Sequence, residues 1–210
     1  GRRLSALRYG EAEPEVTLLH GAGLNAHTWD TTVLALGRPA LAIDLAGHGD
    51  SSWRDDAAYI PSTLAPDVVA ALDAWTDRPQ LLVGQSLGGL TAPAVALAHP
   101  VHAVVIVDIT PGVDPDAGPT QIRQFFAGPT DWASRDELVD RALQFGLGGG
   151  SREKAARGVF LNSRVRPDGR VEWKHHFAHL AAAAVNAGAD PSTPDAVRAV
   201  LASTGWDDLE

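Results

Sequence analysis

The segment Gln80-Leu81-Leu82-Val83-Gly84-Gln85-Ser86-Leu87-Gly88-Gly89 limits what this chain can fold into more than any other. Gln80 to Val83 is a short apolar run that fits a strand, and Leu87 to Ala98 fits a helix, so the G-x-S-x-G between them falls at a strand-to-helix turn. Glycines two residues on either side of Ser86 allow a turn tight enough to hold that serine in a strained backbone, with its hydroxyl above the sheet edge. The N–H groups that open the helix, Leu87 foremost, favour negative charge developing at the same place. Ser86 is therefore the candidate nucleophile.

The surrounding pattern supports that placement. Arg3 to Tyr9 reads as a short strand, Val16 to Leu19 as a second, Ala40 to Ile43 as a third and His102 to Val107 as one more after the Ser86 helix. Between them Ala26 to Leu36 fits a helix, as does Pro61 to Trp75, where Leu64, Val68, Ala71, Leu72 and Trp75 recur at helical spacing. Short apolar strands alternating with helices predict an α/β fold with a doubly wound, mostly parallel sheet. After Thr110-Pro111-Gly112 the pattern becomes helical, with Gln121 to Ala127, Arg135 to Phe145 and Arg152 to Leu161 as candidate helices. Pro167-Asp168-Gly169 marks the turn of a small hairpin between Val165-Arg166 and Arg170 to Trp173. Ala181 to Ala187 and Pro194 to Ala202, the latter capped by Thr193 or Ser192, are further candidate helices.

Composition narrows the chemistry. The 26 acidic residues outnumber the 17 basic ones, and the basic residues form no stripe, so nucleic acid is not an expected partner. Without cysteine there can be no disulfide framework, thiolate zinc site or cysteine nucleophile. Gly1-Arg2-Arg3-Leu4 lacks the apolar stretch of a signal peptide, and no apolar run approaches the ~18 residues of a membrane span. A cytoplasmic protein with no membrane span is the expectation. A chain that starts with Gly and contains no Met suggests trimming, and a fragment of a longer product is expected.

A second motif, His20-Gly21-Ala22-Gly23, follows the Val16 to Leu19 run. Its glycines let the backbone approach a reacting carbonyl, so the Ala22 N–H can join that of Leu87 as an oxyanion hole. His20 itself reads as a hydrogen-bonded structural residue.

Leu18 to Gly23 with Trp29 following, then Ala42-Ile43-Asp44-Leu45-Ala46-Gly47-His48-Gly49-Asp50-Ser51, then the Ser86 turn, together resemble the α/β-hydrolase superfamily. The branch is that of esterases, C–C bond hydrolases, epoxide hydrolases and dehalogenases. Where this chain has Ala46 the family pattern usually has Pro. The resemblance covers the core through about Gly112 and implies a helical cap at 113–185 and a return to the core at 186–210, with the last strands and helix missing. Epoxide hydrolases and dehalogenases use an aspartate where this chain has Ser86, so serine chemistry is implied: cleavage of a carboxylic ester or related acyl bond through an acyl-enzyme. C–C cleavage, cofactor-free haloperoxidase-like chemistry and a non-catalytic binding protein of the same fold are the alternatives.

Such a serine needs a base, normally a histidine held by a carboxylate. Family chain order is serine, acid, histidine, and Trp206 to Glu210 resembles the lead-in to the strand after the cap. The base is therefore expected beyond Glu210. Asp108, at the end of the strand after the nucleophile helix, holds the triad-acid position of some relatives. It reads either as that acid or as a structural residue capping the loop toward the cap.

Asp44 and His48 read as loop-shaping, and His99 and His102 as surface residues. His27 is a candidate pocket residue near the oxyanion loop. His175, His176 and His179 read as polar positions of a cap helix rather than a metal pair. Neither a cofactor nor a metal is implied. Phe125, Phe126, Trp132, Phe145, Phe160, Trp173 and Phe177 read first as cap core, and second as the lining for a small-molecule substrate with an apolar acyl part.

Overall fold

The structure, a computed structural model, describes residues 2–114, 124–125 and 128–186. They fall into two compact units, one up to residue 114 and the other from residue 124. The expected helices at 121–127 (apart from residues 124–125, which are helical) and 194–202, the caps Ser192 and Thr193, Phe126, and the lead-in at 206–210 lie outside the described residues.

In the first unit, β1 (Ser5–Tyr9), β2 (Val16–Leu19), β3 (Ala40–Asp44), β4 (Gln80–Gln85) and β5 (Val101–Val107) form one sheet in the order β1-β3-β2-β4-β5. β1 runs antiparallel to β3 and the other pairs are parallel. All five residues of β3 and all four of β2 are buried, as central parallel strands covered on both faces require. On one face Val16, Leu18, Ala26, Trp29, Val33, Ala40 and Ala42 form a core cluster, against which Leu81 and Val83 pack. Side chains alternate along a strand, so Gly84 faces the other way, where α3 (Leu87–Ala98) lies with α2 (Pro61–Trp75) against it. This is the doubly wound α/β arrangement that the alternating pattern predicts. Among the described residues β5 pairs only with β4, and its Val105 and Val107 stay 43% and 38% exposed.

α2 buries Leu64, Ala65, Val68, Ala71 and Leu72 on one stripe, and Pro61 occupies its first turn, where a missing N–H leaves no bond unmade. The helix expected at 26–36 divides into a 3-10 turn, Ala26–Trp29, and α1, Asp30–Leu36. Side chains satisfy the N–H groups that open the 3-10 turn. The Asn25 side chain accepts the His27 N–H, and the Ala26 N–H is drawn to Asp44 Oδ1 at 2.7 Å.

Asp44 organises the loop after β3. Its Oδ1 takes the Ala26 N–H and its Oδ2 the Asp50 N–H at 2.9 Å, while its backbone carbonyl accepts the Ser51 hydroxyl. Gly49 has φ +54, and a Cβ there would lie 2.2 to 2.3 Å from the Asp44 carboxylate, so the loop closes onto that group only with glycine. Asp44→Ala leaves two inward-facing N–H groups without acceptors. We expect it to lower stability by about 2–4 kcal/mol, read from urea unfolding midpoints. Asp44→Asn keeps one acceptor and is expected to lose about half as much; an unchanged midpoint for Asp44→Ala contradicts the assignment.

The second unit contains β6 (Asp131–Trp132), α4 (Arg135–Gln144), α5 (Arg152–Asn162), β7 (Ser163–Val165), β8 (Val171–Trp173) and α6 (Phe177–Asn186). The expected hairpin is β7–β8, turned at Gly169 with φ +81. β6, which no sequence pattern marks, adds a third antiparallel strand beside β8. Asp131 on β6 pairs with Arg166 and Arg170 from the two hairpin arms, so charge holds a strand of two residues in register. Ser134 and Ser151 cap α4 and α5 by accepting the Glu137 and Lys154 N–H groups.

Trp132, Leu138, Val139, Ala142, Ala155, Val159, Val171, Trp173 and Ala178 make the core of this unit, with Phe125 packed on it. Phe160 departs from the expectation of a core residue. It is 62% exposed under the Arg135 guanidinium, which sits 4.9 Å from its ring centre. His175 departs too, since it is fully buried and stacked on Trp173, two residues before α6 begins. An imidazole buries well against an indole face, and helical spacing alone does not distinguish that from a surface position. Among the described residues no group of three or more His, Cys, Asp or Glu side chains is placed to hold a metal ion, and no helix is long and apolar enough to cross a membrane.

Candidate active site

Ser86 stands between the last residue of β4 and the first of α3, at φ +49 and ψ −116. A non-glycine residue with positive φ is strained, and such strain persists only where the surroundings hold it. Those surroundings are glycine. A Cβ at Gly84 would lie 2.2 Å from the Gly88 carbonyl oxygen, and one at Gly88 would lie 2.3 Å from that of Leu19. The Gly88 N–H donates to the His20 carbonyl at 3.1 Å, so the start of α3 is docked on the end of β2 with no room for a side chain. On the other side the Ser86 N–H donates to the Val107 carbonyl at 3.0 Å. The serine side chain is left partly exposed.

The sequence-predicted partners sit around this turn. Leu87 is the first residue of α3, so its N–H has no acceptor within the helix. Gly21, the residue before Ala22, lies beside the nucleophile, since a Cβ there would meet Ser86 Cβ at 3.4 Å. The loop carrying Ala22 turns through Gly23, at φ +73, and is closed by the Leu24 N–H donating to the Gly21 carbonyl. Asp108 directly follows Val107 and is exposed at φ +62. Among the described residues three non-glycine residues have positive φ, and two of them, Ser86 and Asp108, are joined through the Ser86–Val107 hydrogen bond.

His20 is fully buried, and both ring nitrogens are engaged: Nδ1 donates to the Gly21 carbonyl at 2.8 Å and Nε2 accepts the Leu45 N–H at 3.0 Å. That pair of roles belongs to the neutral ring, and burial pushes its pKa below the ordinary histidine value. His48, also fully buried, presents its ring to His20 at 5.0 Å and bonds the Ala46 carbonyl through Nδ1. His27 bonds Asp30, whose carboxylate also accepts the Tyr9 hydroxyl. His99 is less exposed than expected and pairs with Asp73. None of the first unit's five histidines hydrogen-bonds the Ser86 hydroxyl.

Two site neighbours escape sequence reasoning, Gln85 and Leu24. Around the bare Cα of Gly21 they lie as close as Ser86 does, with Gln85 Oε1 and Leu24 Cδ1 each 3.5 Å from where a Cβ would be. The signal for Gln85 was its place as the variable residue before the nucleophile, and Leu24 carried none.

Comparison with known proteins agrees with this architecture. The profile of the alpha/beta hydrolase family matches residues 18–209. The Mycobacterium tuberculosis protein named esterase Rv0045c is 37% identical over 179 residues, covering 82% of this chain and 60% of its own length. A solved structure of that esterase superimposes with a TM-score of 0.73 at 36% identity, covering 85% of this chain and 65% of the other. The mouse protein named sn-1-specific diacylglycerol lipase ABHD11 is 29% identical over 183 residues, covering 80% of this chain and 57% of its own. The chain thus spans about 60% of the length of these curated relatives.

Proposed function

The chain belongs to the alpha/beta hydrolase family, and from that premise we propose that the protein cleaves carboxylic esters through an acyl-enzyme on Ser86. The observation that carries this reading is the backbone of Ser86, strained at φ +49 by a turn that only Gly84 and Gly88 permit. Strain of that kind is retained where it aims a reactive group.

In the proposed cycle the Ser86 hydroxyl attacks the ester carbonyl while a histidine takes its proton. The N–H groups of Ala22 and Leu87 receive the charge on the tetrahedral oxygen, and the alcohol leaves with the proton returned by that histidine. Water, activated in the same way, then releases the acid. The base is none of the five histidines of the first unit, since none of them hydrogen-bonds Ser86 and family chain order places the base later. Asp108 is assigned as the carboxylate that orients the base. Its strained backbone beside the Ser86 turn supports a functional role. The second unit, inserted after β5, is assigned the role of cap, and the substrate is a small molecule with an apolar acyl part. Identity to a protein named an esterase supports ester cleavage, and a cytoplasmic location belongs to the same reading.

The protein is expected to hydrolyse short p-nitrophenyl esters, with a rapid initial release of p-nitrophenol approaching one equivalent when deacylation is the slow step. Absence of turnover on acetate, butyrate and hexanoate esters alike contradicts the proposal.

A further inference from the structure

Gln85 ends β4 and immediately precedes the nucleophile. Alternation along the strand puts it on the sheet face of Leu81 and Val83, away from α3. Its carboxamide oxygen borders the open side of Gly21, the residue before Ala22, as Leu24 and Ser86 do: a Cβ at Gly21 would lie 3.4 to 3.5 Å from all three. At the other end of the same strand Gln80 is fully buried, and its carboxamide is bonded to Thr17, to the Pro14 carbonyl and to the Arg78 carbonyl. Gln85 is only partly buried, and among the described residues no hydrogen bond involves its side chain.

An amide in that position has two N–H donors and an acceptor oxygen to offer. A bound substrate that takes the place of water against it leaves those groups unmatched unless it brings a hydrogen-bonding atom of its own. Sites built with such a group discriminate against ligands that lack the matching atom. Leu24, 36% exposed on the same side, provides the apolar contact next to it.

We propose that Gln85 is a specificity-determining residue, donating a hydrogen bond to an oxygen a few bonds from the reacting carbonyl, so that the site favours oxygenated esters over their alkyl isosteres. This rests on the reading of Ser86 as the nucleophile of ester hydrolysis. The oxygen belongs either to the acyl chain or to the alcohol, and two isosteric pairs separate these sources: p-nitrophenyl methoxyacetate against p-nitrophenyl butyrate, and 2-methoxyethyl butyrate against butyl butyrate.

The test measures kcat/KM on all four esters for the wild-type protein, Gln85→Leu and Gln85→Glu. Leucine keeps the bulk and removes the polar group; glutamate keeps the shape and, ionised, removes the donors. Intrinsic differences in ester reactivity are common to the three proteins and cancel when their oxygenated-to-alkyl ratios are compared. The ratio for one pair is expected to fall about 3- to 10-fold in both variants, and the pair that moves identifies the source of the oxygen. A purely structural role for Gln85 slows all four esters alike and leaves both ratios where they were. Ratios unchanged for both pairs in an active enzyme overturn this inference alone, and Gln85→Glu decides the matter if Gln85→Leu does not fold. A wild-type protein inactive on every ester overturns the hydrolase reading and this inference with it.

Discussion

Replacing Ser86 by alanine is expected to lower kcat for p-nitrophenyl ester hydrolysis by about 10⁶-fold, since removal of a triad serine leaves only binding and oxyanion stabilisation. The fold should survive. The substitution takes away one oxygen from a side chain that is partly exposed, while the backbone bonds from Ser86 to Val107 and from Leu90 to Ser86 remain available to alanine. Alanine at φ +49 has no short polar side chain to ease the left-handed backbone, so a loss of about 1 kcal/mol is expected. Circular dichroism and a melting temperature within a few degrees of wild type establish that lost turnover is chemical. A variant that keeps most of its kcat would move the nucleophile elsewhere.

The second large effect is expected at Asp108. A triad carboxylate holds the histidine in the right tautomer and stabilises it once protonated, and asparagine in its place costs about 10⁴-fold in kcat. Asp108→Asn preserves shape and also tolerates positive φ, so stability should change little. Asp108→Gly separates the two roles open to this residue. Glycine adopts φ near +62 without strain, so the variant should be as stable as wild type or more so, by up to about 1 kcal/mol, yet as inactive as Asp108→Asn. If both variants keep wild-type kcat, Asp108 is a loop residue and the acid lies elsewhere.

How much was legible beforehand varies with the kind of signal. The strand, turn and helix around Ser86 were readable because an apolar run, glycines at fixed offsets and a second apolar run each constrain the backbone locally. The stripe of α2 was readable from its spacing. By contrast, the 3-10 turn that precedes α1 involves Asp44, a residue far along the chain whose carboxylate accepts the Ala26 N–H. β6 was invisible because two residues have no period, and it is held by Trp132 in the core of the unit and by Asp131 meeting Arg166 and Arg170. Phe160 and His175 exchanged their expected places because composition ranks a phenylalanine above a histidine for burial, while the contacts decide otherwise: a guanidinium covers the first and an indole face receives the second. Gln85 and Leu24 became neighbours of the site only once β2 and β4 were paired in register.

Activation of Ser86 as a nucleophile can be read with a fluorophosphonate probe, which forms a covalent bond only with a serine whose proton is being taken and whose oxyanion is being held. After reaction of the protein with the probe, digestion and mass spectrometry, the adduct is predicted on the peptide containing Gly84-Gln85-Ser86-Leu87-Gly88, at Ser86, and absent from Ser86→Ala. Labelling at another serine, or equal labelling of Ser86→Ala, would contradict Ser86 as the nucleophile.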